Sequence, residues 1–232
     1  MGKNRFSTIS FFLLFIALFG FIFLPIVNVS ATSSNHYYSG YYYYGNSGSA
    51  PEGVQMSIYT KNTGIPPFFE SVAEWDSIII SYSPKYWVQL GYIIYWYWII
   101  FPFATQDFYK EKWDSNGHGF WPLIPAKPLF GHTYKYKLLL SGTGEFSYYV
   151  YEGTTTIYSG AISVSQYATR DLQAFVETTH TDIKIDGSHF TSLKYRQSGS
   201  SWPLWNRHRG YYTNPYSLNQ ISNYEFKASG GG

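Results

Sequence analysis

Cysteine is absent from the 232 residues, and charge is scarce: 16 Lys and Arg stand against 14 Asp and Glu, 13% of the chain in all. Without thiols there is no disulfide framework, no thiolate metal centre and no cysteine nucleophile. A formal net charge of +2 supplies no basic stripe, which excludes nucleic acid as a partner. His-Glu-x-x-His, Gly-x-Ser-x-Gly and a Gly-rich phosphate loop are missing too, so zinc hydrolase, serine hydrolase and nucleotide chemistry have no support. No metal and no cofactor is expected. What the chain has instead is rings: 22% of its residues are aromatic and 45% hydrophobic, far from the composition of a disordered segment.

Lys3 and Arg5 precede an apolar run from Phe11 to Val27, and Val29-Ser30-Ala31 offers the small residues that a signal peptidase reads. Residues 1–31 are therefore expected to be a secretory signal, with the protein secreted or held at the cell surface. Contact with a membrane is expected only through this segment, should it stay uncleaved. A cysteine-free exported protein with few carboxylates loses little when they protonate, which suits it to acid. Residues 32–53 are Ser, Gly, Asn and Tyr and predict an N-terminal arm containing at most one edge strand. Residues 54–227 are expected to form the folded domain, with 228–232 a flexible tail.

From Val54 onward β-branched and aromatic runs alternate with turn residues. Tyr134, Tyr136, Leu138 and Leu140 share one face against Thr133, Lys135 and Lys137; Phe146, Tyr148 and Val150 repeat the pattern after the glycine turn at 141–144. This is a hairpin with one buried face. Tyr92–Phe103 carries no charge and is too short for a membrane helix, so it reads as strand buried on both faces. Residues 104–132 and 198–223 lack alternation and are expected to be long loops. Ten or so short strands without parallel crossovers predict an all-β fold, an antiparallel two-sheet β-sandwich or jelly roll.

Two strands carry polar groups in costly places. In Tyr86–Tyr92 period two puts Trp87, Gln89 and Gly91 on one face; in Leu172–Glu177 it groups Gln173, Phe175 and Glu177. A buried amide needs a partner or a ligand. Rings in the expected loops, Trp202 and Trp205 foremost, are candidates for stacking on a sugar. Arg207-His208-Arg209 beside them reads first as a solvated loop with Arg–Trp stacking and second as a grip for an anionic sugar or phosphate, and His180-x-Asp182 with His189 reads as polar side chains facing water rather than as a metal site.

The order of these pieces resembles the glutamic peptidases, or eqolisins, a concanavalin A-like β-sandwich family. The matching motifs are Val88-Gln89-Leu90-Gly91, the Tyr95-Trp96-Tyr97-Trp98 strand ending in Pro102, the Gly131-His132-Thr133 hairpin opening, and Gln173–Glu177 against the family's Ala-Glu-Trp-x-x-Glu segment. The resemblance implies an acid endopeptidase in which a Gln amide stabilises an oxyanion and a Glu carboxylate activates water. Gln89 and Glu177 are the implied dyad, with Trp87, Gln173, Phe175, Trp202 and Trp205 implied or expected around the substrate. Aligned end to end, Glu177 falls on the second glutamate of the family segment and Gln173 on the first, the catalytic one. A one-residue shift keeps Glu177 as the base, and both registers stand open at this point. The expected partner is a polypeptide or a glycan; a non-catalytic envelope-binding protein, or self-assembly through residues 33–53, are the alternatives.

Overall fold

A computed structural model describes residues 35–44, 50–66, 71–98, 102–165 and 169–232. The expected signal segment lies outside the described residues. Fourteen strands are described: β1 Tyr37–Tyr44, β2 Gly53–Tyr59, β3 Ser71–Tyr82, β4 Lys85–Trp98, β5 Pro102–Asp114, β6 Gly117–Leu123, β7 Thr133–Gly142, β8 Glu145–Glu152, β9 Thr155–Ser163, β10 Asp171–Thr178, β11 Ile185–Arg196, β12 Arg209–Tyr212, β13 Tyr216–Ser222 and β14 Glu225–Gly230. They form two antiparallel seven-stranded sheets, β12-β1-β10-β3-β4-β5-β6 and β13-β14-β11-β2-β7-β8-β9. The fold is the expected two-sheet β-sandwich, and no helix occurs among the described residues.

The core lies between the sheets and follows the period of two. Tyr41 and Tyr43 of β1, Val88, Leu90 and Tyr92 of β4, and Leu172, Ala174 and Val176 of β10 face inward from the first sheet. Val54, Met56 and Ile58, then Tyr134, Tyr136 and Leu138, then Phe146 and Val150 face them from the second. Each such side chain contributes about 1.5–3 kcal/mol when fully buried. The hairpin expected at 133–151 is β7–β8, with Tyr136 opposite Val150 and Leu138 opposite Tyr148.

Four expectations are corrected. Residues 104–132 are not a loop but hold most of β5 and all of β6, while 198–223 contain β12 and β13. Alternation failed in β5 because its inward positions 110 and 112 are lysines. Their stems cross the open end of the sandwich, where Lys110 Nζ donates to the Ala161 carbonyl at 3.0 Å and Lys112 Nζ to that of Ser163 at 2.8 Å. The Tyr-rich arm is no edge: β1 pairs with β10 along its length on one side and with β12 over Ser39–Tyr42 on the other. Residues 228–230 end β14 with Ala228 buried, because Phe226 and Ala228 continue the inward period. Finally, the uncharged run Tyr92–Phe103, expected to be strand buried on both faces, belongs to β4 as far as Trp98 and to β5 from Pro102, with Ile93 and Tyr95 only half-buried on the outer face and Phe103 exposed; residues 99–101 lie outside the described set.

Candidate functional site

The outer face of the first sheet carries the polar row that the sequence singled out. Register aligns Tyr42, Gln173, Ser77, Gln89, Glu111 and Phe120 across β1, β10, β3, β4, β5 and β6. The next row is Gly40, Phe175, Trp75, Gly91, Tyr109 and Pro122, and the one after it contains Tyr38, Glu177, Ala73, Ile93 and Asp107. Gln89, Gln173 and Glu177 thus share a face, with Gln173 in the row of Gln89 and Glu177 two rows along.

Gln89 is buried and both amide hydrogens are used. Its Nε2 donates to Glu111 Oε2 at 2.7 Å and to the Tyr109 hydroxyl at 3.0 Å. The other oxygen of Glu111 accepts from His118 Nε2 at 2.5 Å. Burial holds the Glu111 carboxyl above its ordinary range, opposed by the His118 hydrogen bond and charge and reinforced by the negative charge of Glu177. The same bond raises His118. His118 is fixed by ring contacts with Trp113 and Trp87, at centroid distances of 5.3 and 6.4 Å.

Glu177 is held separately. Its Oε2 accepts from the Trp75 indole at 3.0 Å and its Oε1 from His36, whose pKa is raised by that contact. Between the two carboxylates lies an aromatic floor. Phe175 is at its centre, 4.8 Å from Tyr42, 5.5 Å from Trp75 and 6.1 Å from Tyr38 between ring centroids, and Tyr109 stacks on Phe120 at 5.2 Å. Gly91 is required here: a Cβ at this position would lie 2.1 Å from the Glu74 carbonyl oxygen and 2.8 Å from the Trp75 Cα.

The remaining candidates lie elsewhere. Trp205 is 1% exposed, packed 5.3 Å from the inward-facing Tyr43, so the expectation that it binds a ligand is corrected: its ring belongs to the core. Trp202 covers Gly53 on the outer face of the second sheet and stacks with Lys137, on the opposite side of the sandwich from Gln89. In the basic triplet, His208 stacks on Tyr41 at 3.9 Å and Arg207 lies over the Tyr43 ring at 5.0 Å. Sequence reasoning missed Tyr109, Glu111 and His118 because they fell in the supposed loop. The Asp114-Ser115-Asn116-Gly117 turn between two aromatic-bearing runs was the available signal for that hairpin.

No protein-family model and no curated protein matches the sequence. Among solved structures, scytalidoglutamic peptidase with a peptide-based transition state analogue superposes with a TM-score of 0.61 at 12% identity, covering 84% of this chain and 98% of that one. The fold is that of the glutamic peptidases. A second structure of scytalidoglutamic peptidase, with a transition state analogue inhibitor, gives 0.57 at 13% identity. SCP-B, a member of the eqolisin family in complex with the tripeptide Ala-Ile-His, gives 0.55 at 10%, both over the same 84% and 98% of the chains.

Proposed function

We propose that this chain is an exported peptidase that works in acid, with Gln89 and Glu111 activating water against a polypeptide bound across the aromatic face. The observation that carries this reading is the 2.7 Å contact between the Gln89 amide and the Glu111 carboxylate. It occurs on a fold shared with peptidases whose structures hold a transition state analogue and a tripeptide.

In this reading ionised Glu111 takes a proton from water as the oxygen attacks the scissile carbonyl. The Gln89 amide turns one N–H toward the developing oxyanion, and Glu111 then returns its proton to the leaving amine. Glu177, the acid that the resemblance implied, acts here as a second negative charge that keeps the Glu111 proton affinity high. Gln173 occupies the position in the Gln89 row where the resemblance implied a glutamate, which leaves Glu111 as the carboxylate in contact with the amide.

Incubation with a denatured protein between pH 2 and pH 7 tests the proposal. Cleavage is expected in acid, reduced about 100-fold or more by Gln89→Ala and by Glu111→Gln. No cleavage at any pH, or cleavage by either variant as fast as by the wild type, overturns it. Export is tested by N-terminal sequencing of protein recovered from the medium, where Thr32 is the expected first residue and Met1 the refuting one.

A further inference from the structure

Two carboxyl groups face the interior of the sandwich, away from the Gln89 face. Glu74 and Asp76 alternate with Trp75 and Ser77 on β3, and period two turns both toward the second sheet. Both are 0% exposed. They sit opposite Tyr92 and Leu90 of β4 and Val176 and Ala174 of β10, all core residues. Glu74 accepts from Ser188 Oγ of β11 at 2.6 Å, whereas neither oxygen of Asp76 has a hydrogen-bond partner in another residue.

The groups that could neutralise them are few. Tyr92 from β4 lies close enough to Glu74 to offset part of the effect of burial, and Tyr136 from β7 feels the charge of both acids. Tyr109 from β5 feels that of Asp76. Lys61, after β2, is the one cation among the described residues that acts on Glu74, and it lies 3.7 Å from Asp186. No group of three or more His, Cys, Asp or Glu able to hold a metal ion occurs among the described residues. An ionised carboxylate in such a place has lost its hydration with nothing equivalent in return; a neutral carboxyl group loses far less.

We propose that Glu74 and Asp76 form a built-in proton site: the sandwich closes around both carboxyl groups in their neutral form, and losing those protons loosens it. The protein then does more than tolerate acid, as its sparse charge suggested; acid stabilises its folded state. Burial pushes Glu74 up to about 7 and Asp76 well above its ordinary value. Raised carboxyl pKa values mean that the native state binds more protons than the unfolded chain. Stability is therefore greatest below the unfolded values near 4 and falls as pH climbs through 7, by roughly tenfold in the unfolding constant per pH unit for each proton held. Glu111, raised by burial, adds to the lower part of this fall, and His36 and His118, raised by their carboxylate partners, add to the upper part, so the wild-type slope alone does not identify its source.

Urea unfolding from pH 3 to pH 8 supplies the test, on the wild type, Asp76→Asn, Glu74→Gln and the double variant. The amides mimic neutral carboxyl groups in size. The wild-type midpoint is expected to fall between pH 4 and pH 8, and the double variant is expected to flatten the portion between pH 4 and pH 6.5. A wild-type midpoint that is level or rises over this range, or a double variant with the parental slope, overturns the proposal. Should the variants fail to fold, infrared spectroscopy of the wild type decides: a neutral-carboxyl band persisting at pH 6 supports the site, and its absence refutes it.

Discussion

Replacing Trp205 by Ala separates what its sequence neighbourhood suggested from what its environment dictates. A ring that stacks on a ligand in a loop can be removed with little loss of stability; a core ring cannot. Trp205 is among the largest fully buried side chains, 1% exposed and packed against Tyr43, which stacks in turn on Tyr195 at 4.7 Å. Its backbone is tied to a bulge in β11, where Ser192 takes a φ of 54° and the Trp205 amide donates to the Leu193 carbonyl at 2.8 Å. Truncation deletes the indole and leaves a cavity that the anchored backbone cannot close, so the cost should be about 3–5 kcal/mol. At about 2–4 °C per kcal/mol for a domain of this size, the melting temperature should drop by roughly 6–20 °C. The indole nitrogen has no hydrogen-bond partner, so Trp205→Phe removes a desolvated N–H with the lost volume and should cost roughly 1–2 kcal/mol. Urea unfolding followed by circular dichroism at pH 4 measures both. A loss below about 1 kcal/mol for the alanine variant, or a phenylalanine variant as damaged as the alanine one, would refute the assignment of this ring to the core.

The pH dependence of cleavage should respond to the two neighbours of Glu111 in opposite directions. His118→Asn removes a positive partner and should move the acid limb of the rate profile to higher pH, while Glu177→Gln removes a negative one and should move it lower; shifts in the same direction would contradict the electrostatics described. Gln173→Glu, made in the Glu111→Gln background, places a carboxylate in the Gln89 row from the other side and should restore cleavage in acid by about tenfold or more. No recovery would show that position in this row is insufficient. Gly91→Ala forces a Cβ into the β3 backbone and should destabilise the protein by about 1–3 kcal/mol and lower cleavage by displacing Trp75 and Gln89; a variant of unchanged melting temperature would show that the strands have room to part.

Local pattern was enough to read the sandwich, the β7–β8 hairpin and the faces of Gln89, Gln173 and Glu177, because the side-chain period along a strand is a property of the chain itself. It was not enough for β5, where lysine stems replace apolar groups on the inward face and conceal the alternation, and so Glu111 and His118 went unread. Nor could it show that the tyrosine arm fills an interior place between β10 and β12, that Trp205 turns inward, or that Glu74 and Asp76 turn into the core. Composition and periodicity thus determined the architecture and the side of the sheet on which each residue stands. Tertiary structure decided which acid meets the Gln89 amide, since strands 22 residues apart in the chain at Gln89 and Glu111 become neighbours only through the pairing of whole strands.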